Sequence, residues 1–208
     1  MGEVAIQHVR LATDVLDRYF AHLRSRHQGE KTTLVDVKEE ELRILDWPSI
    51  RLSDQPRLLS YMRDHRFRFI RLRRRNLLAQ LASLRLALST QVWVQSSAAP
   101  RREAPARIRL DLDTLLGEFE WREREEAQVD QWLEFAPSVT LYYEDLPADD
   151  GRMAGGPRAR LNQLLGRPLS PDIVARTQKL APPLSELIEN YDEVARALTG
   201  TRYERFLS

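Results

Sequence analysis

Cysteine is missing altogether from the 208 residues, which excludes disulfide frameworks, thiolate nucleophiles and cysteine-based zinc sites. Lysine is nearly missing. Only Lys31, Lys38 and Lys179 occur among 32 basic residues, so the cationic chemistry of the chain is that of arginine, whose planar fork matches phosphate and sulfate oxygens two at a time. The eight glycines form no G-x-x-x-x-G-K phosphate loop. Of the four histidines, His22 and His27 stand five apart rather than at the i, i+4 spacing of a helical zinc pair, and no metal site is expected. No apolar run approaches the roughly 18 residues of a membrane span. No basic-then-apolar leader opens the chain, so the expectation is a cytoplasmic protein without a membrane partner.

What is present is an ordinary globular composition, 42% hydrophobic and 30% charged, at a formal net charge of +1. A chain of this length suits one domain, 1–208. Near-neutral charge argues against a nucleic-acid partner, because any basic character must be local.

Periodicity alternates between helix and strand. Val4 to Arg26 carries apolar residues at helical spacing, among them Val15, Leu16, Tyr19, Phe20 and Leu23, and Gly29 stops it. "TLVDV" (Thr33–Val37) reads as a strand. Ser53 or Asp54 is the expected N-cap of a helix that turns Leu58, Leu59 and Met62 inward. Phe67–Leu72 reads as a strand, and Asn76–Thr90 as a helix with a stripe of Leu77, Leu81, Leu84 and Leu88. Small and proline-broken residues at about 96–106 mark a surface loop.

A long charged helix is expected over Asp111–Phe135, packing on the sheet through Leu115, Phe119, Trp121, Val129, Trp132 and Leu133, with "EWREREEAQ" as its solvated face. "SVTLYYEDL" (Ser138–Leu146) is a further strand. The helical C-terminal part, about 157–208, comprises "RARLNQLLG", one helix over Pro183–Leu198, and a docking tail of Tyr203, Phe206 and Leu207. Trp47, Trp93, Trp121 and Trp132 read as core. Such alternation indicates an α/β class built on a mainly parallel sheet.

Arg73-Arg74-Arg75 interrupts this pattern where an apolar strand gives way to a helix. A strand that turns into a helix presents free N–H groups and the positive end of a helix dipole, so the turn suits an anion. Ser83 follows Arg75 by eight residues, about two helical turns, within reach of the same anion. The alternative is a solvated basic turn that pairs with acidic neighbours such as Glu144 or Asp145. Arg73 and Arg74 themselves are expected to be structural or peripheral.

The Arg75–Ser83 spacing resembles the 3′-phosphate-binding strand and helix of the sulfotransferases that use 3′-phosphoadenosine-5′-phosphosulfate (PAPS). Trp93 after "STQV" is similar to the residue that often closes this helix in the bacterial branch. "LVDVK" (Leu34–Lys38) resembles the preceding strand with its D-x-K signature, "VTLYYEDL" a late strand, and "LIENYDEVARALTGTRYERFL" the closing segment, in the same order over about 34–207. The resemblance implies a three-layer sandwich of the P-loop-containing nucleotide-hydrolase-like type. It also implies PAPS as co-substrate and sulfuryl transfer to a hydroxyl of a carbohydrate or small metabolite. Arg75 and Ser83 would hold the 3′-phosphate, with Lys38 beside the nucleotide and Glu3 of "MGEVA" as the base.

The chain departs from this pattern at its start, where no loop resembling "RSGST" holds the 5′-phosphosulfate, so the implied fold is N-terminally incomplete. Donors of that kind stabilise the transferring group and each is worth about 10²–10³ in rate, so the isolated chain is expected to be weak or inactive in turnover. Two other roles follow from the same scaffold: a non-catalytic nucleotide-binding or protein-interaction module, and a homo-oligomer or partner chain that completes the sheet.

Overall fold

The computed structural model describes residues 14–25, 34–37, 55–93, 107–147, 151–174 and 182–207. The chain divides into two compact units, Met1–Arg68 with Trp132–Pro137, and Phe69–Gln131 with Ser138–Ser208.

In the first unit, residues 14–25 form helix α1 and Arg57–Asp64 form α2. Leu16 and Phe20 of α1 are buried, whereas Val15 and Tyr19, expected on the same stripe, are exposed. Helix α2 buries Leu58, Leu59, Tyr61 and Met62. Its N-cap position is Pro56, not Ser53 or Asp54, because a proline ahead of the first turn removes a donor that needs no partner there. Leu34–Val37, expected as a strand, has no regular structure, and Leu34 is 78% exposed.

The unit's packing is aromatic. Phe20 stacks on Tyr61 with ring centroids 5.6 Å apart and meets Phe67 edge-on at 4.9 Å. Tyr61 donates its hydroxyl to Asp17 at 2.6 Å. Burial, aided by the adjacent Asp17 carboxylate, pushes the Tyr61 phenol up from 10.0 to about 12. A raised folded-state pKa means a contribution fully present below pH 10 and lost as pH rises towards about 12. Tyr61→Phe should therefore flatten the fall in melting temperature over that window relative to the parent chain. An identical fall in both proteins would refute the bond.

The second unit is α/β. Strands β1 (Phe69–Arg73) and β2 (Ser138–Tyr142) pair in parallel, with Phe69 opposite Ser138 and Arg73 opposite Tyr142. Between them lie α3 (Leu77–Thr90) and α4 (Leu112–Leu133), the crossover that a parallel pair requires. After β2 come a 3₁₀ turn at Tyr143–Asp145, helices α5 (Gly155–Leu165), α6 (Leu184–Leu187) and α7 (Tyr191–Leu198), and a 3₁₀ turn at Glu204–Leu207. Helix α5 ends as expected at Gly166, whose φ of 68° is a left-handed cap natural to glycine.

Helix α3 carries leucine on every side, so periodicity could not select its inner face. The buried row is Leu78, Ala82 and Leu86 with Leu77 and Ala87; Leu88 is exposed. That row joins Leu115 and Phe119 of α4, Leu187, Val194 and Leu198 in one core. Phe119 meets Tyr203 and Phe206 edge-on at 5.1 and 5.6 Å, so the C-terminal residues dock as the sequence indicated. Trp121, two residues round the helix from Phe119, is 47% exposed and Trp93 is 60% exposed, so neither is core.

Expected as one helix, Pro183–Leu198 is broken. Ile188 is extended (φ −92°, ψ 117°) and forms a parallel bridge with Ile108: Ile108 N–H donates to Leu187 O at 2.9 Å and Glu189 N–H to Ile108 O at 2.8 Å. Asn190 continues this ladder with its side chain, accepting from Leu110 N–H at 3.0 Å and donating to Leu110 O at 2.9 Å.

Strand β1 faces α4 through charge. Arg71, buried, and Arg73 pair with Asp130 and Glu126 of α4, while Ile70 and Leu72 on the opposite side are exposed. The stretch read as a solvated face thus supplies Glu126 to the strand, with Asp130 just beyond it, and its Glu123 accepts from Arg202 and from the Tyr203 hydroxyl. Removing a carboxylate from a buried guanidinium costs more than losing an i, i+4 surface pair, because the charge left behind has no compensation. No helix of the described residues is long and apolar enough to cross a membrane.

Candidate functional site

Because β1 and β2 run parallel and in register, the residues that follow each strand emerge at the same edge. The carboxyl edge of a parallel sheet is where α/β folds bind ligands. After β1 come Arg74, Arg75 and Asn76, and then α3; after β2 comes the Tyr143–Asp145 turn. Two cations, Arg74 and Arg75, and two carboxylates, Glu144 and Asp145, are thereby brought within a few residues of two strand ends.

Asn76 starts α3. Its Oδ1 accepts from Ala79 N–H at 2.9 Å, an N-cap that satisfies one of the free amides of the first turn, and its Nδ2 donates to Phe206 O at 2.9 Å. The cap therefore also ties the C-terminal turn to the start of α3.

Arg75 turns towards the end of β2. Its guanidinium donates to both oxygens of Asp145 at 2.5 and 2.7 Å, its N–H donates to both oxygens of Glu144 at 3.1 and 3.2 Å, and Cζ stands 4.2 Å from the centroid of the Tyr142 ring. The hydrogen bond from Arg75 holds the Asp145 carboxyl below the usual carboxylate range, and the Arg75 guanidinium is correspondingly raised by the bond to Asp145. The pairing with Glu144 and Asp145 is the one anticipated for a solvated basic turn.

Arg74 points towards α3 instead. Its Nη1 donates to Ser83 Oγ at 3.0 Å and lies 3.4 Å from Ala79 O, with Cζ 4.3 Å from the centroid of the Tyr143 ring. Among the described residues no carboxylate pairs with it. The arginine that reaches Ser83 is thus Arg74, not Arg75, since the carboxylates after β2 draw Arg75 away. Arg74, read as structural or peripheral, is the arginine beside Ser83 that spacing missed.

Beside this edge lies a cleft of about 830 Å³ whose lining includes Arg73, Arg74, Arg75, Tyr142, Glu126 and Phe206, within the usual range for ligand pockets. Glu3 and Lys38, the expected base and the expected nucleotide contact, lie outside the described residues. Among the described residues no cluster of three or more His, Cys, Asp or Glu side chains suits a metal ion. The arrangement offers an anion one guanidinium free of carboxylate among the described residues, a hydroxyl that it positions, and a second guanidinium already engaged. Comparison with protein-family models, curated proteins and solved structures finds no match to the chain.

Proposed function

We propose that the carboxyl edge of β1 and β2 binds the phosphate of an adenosine nucleotide, and that the chain serves sulfuryl transfer from PAPS to a hydroxyl of a carbohydrate or small metabolite on a sulfotransferase-like three-layer scaffold. One observation carries this reading: Arg74, at the turn from a parallel strand into α3, is free of any described carboxylate and bonded to Ser83. A guanidinium in that state keeps donors for phosphate oxygens, and the hydroxyl beside it supplies another. Under this reading Arg74 and Ser83 hold the 3′-phosphate. Transfer itself needs an in-line acceptor hydroxyl and a proton acceptor, the role the resemblance gives to Glu3.

The same edge suits a nucleotide-binding module without turnover. The filling of the Arg75 fork by Asp145 favours that second reading, since one of the two cations at the turn is already satisfied from within the chain.

Calorimetric titration with adenosine 3′,5′-bisphosphate, beside adenosine 5′-monophosphate, tests the site. Micromolar binding of the bisphosphate is expected, with the monophosphate weaker by about 30-fold or more, since it forgoes the contacts of both Arg74 and Ser83. Equal affinity for the two nucleotides, or no binding by a folded chain, would remove the 3′-phosphate assignment.

A further inference from the structure

Asp145 stands between two arginines. It accepts from both terminal nitrogens of Arg75 at 2.5 and 2.7 Å, and its Oδ2 also lies 3.9 Å from Arg160 Nη2 of α5. Arg160 is held nearby through Nη1, which donates to Thr140 O of β2 at 3.3 Å. The side chains of Arg75, Asp145 and Arg160 are 51%, 34% and 42% exposed, so exchange between the two pairings requires no opening of the core.

We infer that Asp145 is an internal occupant of the anion site, which an incoming phosphate displaces from Arg75 onto Arg160. This rests on the reading that a phosphate seats at this edge. In the pairing seen here the end-on Nη1–Nη2 edge of Arg75 is filled, and a ligand must use the remaining side or displace the carboxylate to gain that edge. A phosphate of charge near −2 competes for that edge against a single carboxylate. When it prevails, Asp145 has a second guanidinium already 3.9 Å away, so no carboxylate is left unpaired. Tyr142 remains under Arg75 and keeps its guanidinium at the edge as the partner changes. Arg160 is then a positioning residue: it affects affinity without touching the ligand, by receiving Asp145. Exposed pairs of this kind are weak, which suits a contact that must be exchanged.

Titration of adenosine 3′,5′-bisphosphate into the full chain and its Asp145→Asn, Arg160→Gln, Arg75→Ala and doubly substituted variants tests the exchange. Asp145→Asn should tighten binding by about two- to fivefold, the worth of one exposed ion pair. Arg160→Gln should weaken binding by about twofold in the parent chain and have no effect in the Asp145→Asn background, a coupling that a merely structural role would not produce. Arg75→Ala should abolish the gain from Asp145→Asn.

Unchanged or weaker binding by Asp145→Asn would overturn the exchange. An Arg160→Gln effect of equal size in both backgrounds would do the same. If the parent chain binds and Arg74→Ala does not, while Asp145→Asn matches the parent, the site stands and the exchange falls. No binding by either the parent or Asp145→Asn sinks both. Binding by Asp145→Asn alone supports the exchange in its strongest form.

Discussion

Asn190→Ala is expected to destabilise the chain by about 2–5 kcal/mol, because it strands two buried backbone groups at once at about 1–3 kcal/mol each. The Asn190 amide acts as one more peptide unit in the ladder begun by Ile108 and Ile188, with Oδ1 on Leu110 N–H at 3.0 Å and Nδ2 on Leu110 O at 2.9 Å. Asn190 is 5% exposed and Leu110 3%, so water cannot replace the lost partners in place. Leu187, Ile188 and Val194, all fully buried, flank this latch, and its loss should loosen α6 and α7 together. Urea denaturation of the parent and variant measures the effect. A change under about 0.5 kcal/mol, the ordinary range for surface substitutions, would mean that the latch is dispensable.

Asn190→Asp sharpens the test through pH. Aspartate keeps an acceptor for Leu110 N–H but turns its second oxygen on Leu110 O, with the Glu193 carboxylate also near, since Asn190 Nδ2 now lies 3.4 Å from Glu193 Oε2. Burial and these oxygens raise the pKa of such a carboxyl in the folded state, so the variant should regain stability as pH falls and its hydroxyl becomes a donor. Alanine at the same position should show no such recovery. Equal pH profiles for the two variants would place the side chain outside the latch.

Much of the second unit was legible because its signals are local. The run Phe67–Leu72, the three arginines and the leucine-rich Asn76–Thr90 specify strand, turn and helix within a short stretch, and all three are present, with the strand itself at Phe69–Arg73. What escaped depends on residues far apart in the chain. "LIENYDEVARAL" has helical periodicity throughout, yet it breaks at Ile188 because Ile108, 80 residues away, offers a bridge there. Pairing across such a distance leaves no periodic trace.

The face of α3 was hidden for the opposite reason. Leucine on every side makes several stripes equally plausible, and the core of Leu115, Phe119 and Leu198 selects one of them. At the site itself, residue spacing marks the turn and Ser83 but cannot say which arginine turns towards that serine. Glu144 and Asp145, brought alongside by the register of β1 and β2, decide it. Asn76, by contrast, starts α3 where the periodic run begins, and its cap needs only Ala79, three residues on.

Arg74→Ala is expected to weaken adenosine 3′,5′-bisphosphate binding by about 30-fold or more, the worth of roughly 2–3 kcal/mol of charge-assisted hydrogen bonding. The variant should fold normally, since α3 remains capped by Asn76 and Arg74 has no ion-pair partner among the described residues to strand. Arg74→Lys keeps the charge and loses the fork, so it should fall between the parent and alanine. Ser83→Ala, which removes the hydroxyl that Arg74 positions at 3.0 Å, should cost about three- to tenfold. The comparison that decides the assignment is with Arg75→Ala. With its terminal nitrogens held by Asp145, Arg75 contributes fully only after that carboxylate is displaced, so its loss should cost less than that of Arg74. A larger loss at Arg75 than at Arg74 would return the phosphate to the Arg75–Ser83 pair that the spacing suggested. Retention of affinity by both variants would mean that the edge of the sheet holds no phosphate, and that the arginines serve only to join the ends of β1 and β2.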